Sequence, residues 1–179
     1  MKDGLFKTIL YTILGIGIMT AIMTLTSMTT PFEGVYIQFA YGYLALFAGV
    51  AGAIPAAIVG FTGHVLFDLI YTDHLWLSWA LSTGALGFVF GFAIRRKSLR
   101  QGVFSQHDMI RFNVVQAVVN IAIFGLIAPT LDVLFYQQST TIVFTQGWIA
   151  SIVNLLTVAV FGTITLKLYA NYKLKQNKQ

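Results

Sequence analysis

Gly49-Val50-Ala51-Gly52-Ala53-Ile54-Pro55-Ala56-Ala57 is the stretch on which the fold turns. It is apolar throughout, so hydropathy alone merges it with its neighbours, and only Gly52 and Pro55 punctuate it. Glycine and proline are the strongest local breakers of regular structure. The spacing therefore predicts a tight turn here that ends one membrane span and begins the next. A span needs about 20 mostly apolar residues, and with this turn the chain divides into six, at roughly 7–27, 37–53, 54–71, 77–94, 111–128 and 146–170.

The turn also decides where the charges fall. With six spans, all eleven Lys and Arg lie on one face. They are Lys2 and Lys7 at the start, Arg95, Arg96, Lys97, Arg100 and Arg111 around the fourth connection between spans, and Lys167, Lys173, Lys175 and Lys178 at the end. Five spans would scatter them. Positive residues near span ends stay in the cytoplasm, so the expected architecture is an all-α integral membrane protein of the cell membrane, with six transmembrane helices and both termini cytoplasmic.

Composition agrees. Hydrophobic residues make up 57% and charged residues 9%, with a mean hydropathy of +0.78. Globular domains carry charge on about a quarter of residues, so most of this chain has lipid as its solvent. The pI near 9.6 marks the anionic inner leaflet and not a nucleic-acid partner. Zero cysteines exclude disulfides, thiolate metal sites and a thiol nucleophile. Residues 19–27 offer no small-x-small cleavage site ahead of a soluble domain, so the first hydrophobic segment is read as a span. No linker or repeat divides the chain, and 1–179 is read as one domain.

The outer connections are read as 28–36, 72–76 and 130–145. Within the last, Leu131 to Tyr136 suits a short interfacial turn or helix. Trp76, Trp79 and Trp148 sit near outer span ends, where amphipathic rings anchor at headgroup level. Gly15, Gly17 and Ala21 on the first span, and Gly84, Gly87 and Gly91 on the fourth, let helix backbones approach closely. Both sets fit internal packing or docking to another membrane subunit.

Polar groups at membrane depth are costly and mark cavities or partners. His64 and Asp68 are one helical turn apart and share a face, with His64 about 10 Å deep at ~1.5 Å per residue. The pair fits ligand binding or an internal hydrogen bond; two ligands do not make a metal site. Asn113, Gln116 and Asn120 form a stripe on the fifth span, with Asn113 near the cytoplasmic end read as structural. Gln38 and Tyr41 share a face on the second span, Trp79, Ser82 and Thr83 lie on the fourth, and Gln146 and Asn154 on the sixth. Convergence of Gln38, Tyr41, His64, Asp68, Trp79, Asn120, Gln146 and Asn154 would form an outward-facing pocket with aromatic walls and neutral hydrogen-bonding groups.

Nothing in the chain supplies energy. No Gly-Lys dipeptide occurs, so a GxxxxGK[ST] phosphate loop is impossible. HExxH and GxSxG are also missing from the sequence, and no cofactor is expected.

Three blocks carry a resemblance. They are Tyr43-Leu44-Ala45-Leu46-Phe47; Gly60-Phe61-Thr62-Gly63-His64-Val65-Leu66-Phe67-Asp68-Leu69 with Trp76 to Trp79; and Ala128-Pro129-Thr130-Leu131-Asp132-Val133-Leu134 with Phe144-Thr145-Gln146-Gly147, Asn154 and the Gly162-Thr163 to Tyr169-Ala170 tail. Together they resemble the substrate-specific S components of energy-coupling factor (ECF) transporters, nearest to a subfamily of unsettled substrate related to the riboflavin-type S components. The resemblance implies six helices and an outward-facing site for a vitamin or vitamin precursor. It also implies docking, through small residues of the first span such as Gly15, Gly17 and Ala21, on a transmembrane coupling subunit bound to two ATP-binding subunits. The first outer loop, Thr29-Thr30-Pro31-Phe32-Glu33-Gly34-Val35-Tyr36-Ile37-Gln38, departs from the Asn- and Thr-rich loop of the subfamily. The expected ligand is small and largely uncharged, a pyrimidine or pyridine such as hydroxymethylpyrimidine or pyridoxine, with cobalamin the alternative. A stand-alone secondary transporter and a membrane-embedded enzyme are the competing classes.

Overall fold

The computed structural model describes residues 2–72 and 74–179, the side chains of Lys2 and Asp3 excepted. The expected turn is present. Helix α2 (Ala40–Ala51) stops at Gly52, and α3 (Ala53–Phe67) begins at the next residue. Gly52 has φ 103°, and a Cβ there would run into the Arg96 guanidinium. Only glycine adopts such a backbone at no steric cost. Pro55 falls in the first turn of α3, where its missing N–H would be unpaired anyway.

The remaining elements are α1 (Lys2–Thr26), a hairpin of β1 (Met28–Thr29) and β2 (Tyr36–Ile37), α4 (Leu77–Ala93), the short α5 (Arg96–Arg100), α6 (Gln106–Tyr136) and α7 (Thr140–Gln176). The hairpin is antiparallel, with Met28 opposite Ile37 and Thr29 opposite Tyr36. Helix α3 runs on through a π-helical turn, Asp68–Thr72. Among the described residues, four helices are long and apolar enough to cross a membrane: Gly4–Thr26, Ala53–Thr72, Gln106–Tyr136 and Thr140–Gln176. Helices α2 and α4 are apolar but shorter, at 12 and 17 residues. Large apolar side chains face outward on α1, α4 and α7, among them Leu25, Phe92 and Leu168, as lipid-facing surfaces require.

The fifth and sixth helices correct the expectation. In place of an outer loop over 130–145, α6 continues to Tyr136 and α7 starts at Thr140. Proline blocks a helix by losing a donor and clashing with the carbonyl four residues back. Here the π-helical turn Ile123–Ile127 lies just ahead of Pro129, widening the ladder so the helix passes the ring unbroken. It ends at Gln137, whose φ of 53° is left-handed and whose N–H donates to the Asp132 carbonyl.

Short α2 is the centre of the bundle. Its small residues let α7 approach: Gly42 lies against Phe161, Ala45 against Gly162, and Gly49 against Leu166. The α3–α4 contact is equally close, since a Cβ at Gly60 would strike the Thr83 carbonyl and one at Gly87 the Ala56 carbonyl. The Gly84–Gly87–Gly91 stripe is therefore spent on packing against α3. Helix α1 lies on the flank of α3 and α2, where the Thr20 hydroxyl meets the Gly63 carbonyl at 3.3 Å.

Basic side chains gather around the Gly52 turn. Arg96 and Arg100 each donate to the Val50 carbonyl, at 3.0 and 2.9 Å, satisfying the free C-terminal acceptor of α2. Burial, with Arg100 adjacent, lowers the pKa of the Arg96 guanidinium below its ordinary value. Lys167 donates to the Phe104 carbonyl at 3.1 Å, and Arg95 lies 3.6 Å from Asp108.

Candidate ligand-binding site

At the other end of the bundle the hairpin, the π-helical end of α3, the start of α4, the last turns of α6 and the first turns of α7 enclose a cavity of about 470 Å³. Gln38, Tyr41, His64, Asp68, Trp79, Gln146 and Asn154 all line it. Asn120 does not. Its amide nitrogen donates to the Gln116 side chain at 3.0 Å, Gln116 donates to the Leu155 carbonyl at 3.3 Å, and Asn113 donates to the Thr163 hydroxyl at 2.8 Å. Asn113 and Gln116 thus tie α6 to α7, while Asn120 bonds within α6 and leaves its buried Oδ1 without a hydrogen-bond partner among the described residues.

His64 is fixed from below. Its Nδ1 lies 2.8 Å from the Thr83 hydroxyl, which itself donates to the Trp79 carbonyl at 3.0 Å. That hydroxyl hydrogen is committed, so Nδ1 is assigned as the protonated nitrogen. His64 Nε2 then faces Asp68 Oδ1 at 3.5 Å. The other Asp68 oxygen accepts the Trp76 backbone N–H at 2.9 Å, which is how the π-helical turn of α3 is tied to the start of α4.

Asp132 ties α6 to α4 at the rim. The Ser78 hydroxyl donates to its Oδ1 and the Trp79 indole N–H to its Oδ2 at 2.8 Å. One turn on, the Tyr136 hydroxyl accepts the Leu77 N–H at 3.0 Å, and its ring meets Trp76 with centroids 5.1 Å apart. The Tyr41 hydroxyl lies against Thr83 and Asn154, and its ring stands edge-on to Phe124 at 5.7 Å.

The hairpin covers the cavity. Gln146 donates to the Glu33 carbonyl at 2.8 Å, fastening the loop to α7, and Gln38 donates to the Ser27 hydroxyl at 2.8 Å. Burial, helped by nearby Tyr71 and by the Asp68 and Glu33 carboxylates, pushes the Tyr36 phenol up, so it stays a neutral donor. Among the described residues, no group of three His, Cys, Asp or Glu is placed to hold a metal ion.

Sequence reasoning missed Asp132, Glu33, His74 and Trp76 as lining residues. The available signal for Asp132 was a lone carboxylate inside an otherwise apolar segment, masked by reading 130–145 as an outer connection. Trp76 was read as an interface anchor. Of the residues expected to dock a partner, Gly17 has nothing within 4 Å of its missing side chain and Ala21 is exposed. Gly15 corrects the expectation: it turns inward against Phe47 and Val59, because it lies on the α1 face that packs on α2 and α3.

The model of the family described as "ECF-type riboflavin transporter, S component" matches residues 6–171. The chain is similar to a UPF0397 protein of Lactococcus lactis subsp. cremoris (strain NZ9000), with 41% identity covering 98% of this chain and 96% of that one. A UPF0397 protein of Enterococcus faecalis (strain ATCC 700802 / V583) is 37% identical over 92% of each chain, and one of Clostridium perfringens (strain ATCC 13124) is 35% identical over 95% of this chain. No solved structure matches. With the match running over nearly its whole length, the chain belongs to the ECF-type riboflavin transporter S component family, a family of membrane transport subunits and not of enzymes.

Proposed function

We propose that this protein captures a vitamin or vitamin precursor at the outer face of the cell membrane and hands it to an ATP-driven ECF module. It has six spans and cytoplasmic termini in this reading. The observation that carries it is the cavity of about 470 Å³ at the end of the bundle away from the basic cluster. Small-molecule pockets run from about 300 to 1,000 Å³, and this one suits a ligand of one or two rings, such as hydroxymethylpyrimidine or pyridoxine. Riboflavin, named in the family description, would fill it more fully, and cobalamin would need the hairpin displaced.

The chain has no nucleotide-binding loop, so the energy comes from a coupling subunit with two ATP-binding subunits. The exposed notch at Gly17 and Ala21, flanked by outward-facing Leu14, Ile18 and Leu25, is the proposed docking surface, because small residues let helix backbones approach closely in lipid. Co-purification tests this. The wild type, expressed with its coupling module, is expected to bring down both ATP-binding subunits, and Gly17→Leu with Ala21→Leu to lose them while staying monodisperse. Full uptake by the isolated chain would overturn the proposal in favour of a stand-alone secondary transporter.

A further inference from the structure

Resting on the reading of this cavity as the ligand site, we infer that its occupant is a flat aromatic heterocycle that carries a positive charge and presents N–H donors. Among the described residues three carboxylates line the cavity, Glu33, Asp68 and Asp132, and no Lys or Arg does. Asp68 and Asp132 are 2% and 1% exposed. Their partners are neutral or titratable groups: the Trp76 amide and His64 for Asp68, and the Ser78 hydroxyl and Trp79 indole for Asp132. Hydrogen bonds to such groups orient the carboxylates without cancelling their charge. Buried charge is tolerated when it is paired, and a cationic occupant supplies the pair.

His64 narrows the chemistry further. With Nδ1–H spent on Thr83, a neutral ring would turn its Nε2 lone pair toward Asp68 Oδ1 at 3.5 Å. Two acceptors then face one another across a gap at the cavity wall, and a donor from the occupant satisfies both. Tyr41, Phe67, Trp76 and Trp79 add aromatic walls, whose ring faces attract cations. An uncharged ring could donate to the free acceptors but would leave the carboxylate charges without a counter-charge. The acidic lining thus departs from the sequence expectation of a largely uncharged solute.

A matched set of single-ring probes tests the charge. Wild-type protein in lipid nanodiscs is titrated at neutral pH with 4-aminopyridine, cationic through its protonated ring nitrogen, with aniline as its neutral isostere, with isonicotinate as an anion, and with riboflavin. Trp76 and Trp79 line the cavity, so intrinsic fluorescence reports occupancy. The cation is expected to bind at least about tenfold tighter than aniline, with no response to isonicotinate, and Asp68→Asn and Asp132→Asn to reduce that ratio severalfold. Because the comparison is made on the wild type, it stands even where a variant fails to fold. Equal or tighter binding of aniline, isonicotinate or riboflavin overturns the inference. So does silence to every probe when native mass spectrometry finds a neutral or anionic molecule retained by the protein, a result that leaves the capture function standing. Silence together with no retained molecule overturns both.

Discussion

Asp132 joins helices at the cavity rim with one carboxylate, holding Ser78 and Trp79 of α4 against the last turns of α6. In Asp132→Ala both carboxylate acceptors are lost, and the Ser78 hydroxyl and Trp79 indole N–H are left without them. A buried donor left without an acceptor costs about 1–3 kcal/mol, so the variant is expected to unfold at a lower temperature in detergent, as read by scanning fluorimetry. An unchanged Tm would show that Asp132 does not clamp the two helices. Gln38, His64, Asp68 and Asn154 were legible in the sequence because a polar group in an apolar run has few places to go, and all four reach the cavity. Asn120 satisfied the same criterion but bonds to Gln116 of its own helix, since depth and helical face leave helix order undetermined.

At the scale of elements, the Gly52 turn separates α2 from α3 and receives two arginines beside it. Gly52→Ala places a side chain on a backbone at φ 103° and against Arg96. Strain of that kind costs on the order of 1–3 kcal/mol. Gly4→Ala, where nothing lies within 4 Å, is the matched control and is expected to change stability by no more than about 0.5 kcal/mol. Equal Tm values for the two variants in detergent would contradict the turn. The turn was legible because glycine and proline are the only breaks in its apolar stretch. The lengths of α6 and α7 were not, because π-helical turns, at 68–72 in α3, 123–127 in α6 and 158–162 in α7, carry helices onward, the second of them past Pro129. Such turns have no composition signal of their own, and they recur at functional sites; the first begins at Asp68 itself.

Across the whole molecule, charge and cavity occupy opposite ends. Basic side chains cap the Gly52 end through Arg96, Arg100 and Lys167, while the described cavity is lined by carboxylates, histidines and aromatic rings. The charge layout was readable from sequence because the Lys and Arg residues fall in a few segments that the Gly52 turn brings to one end. The acidic character of the cavity was not, because Glu33 and Asp132 fell in segments read as loops and only the fold brings them beside Asp68. The most direct test of capture is native mass spectrometry of the wild type and of Ala150→Trp, which fills the cavity from α7 at a buried lining position. The proposal predicts one small molecule per wild-type chain and none in the folded variant. Identical spectra for two equally helical proteins, whether both loaded or both empty, would contradict it.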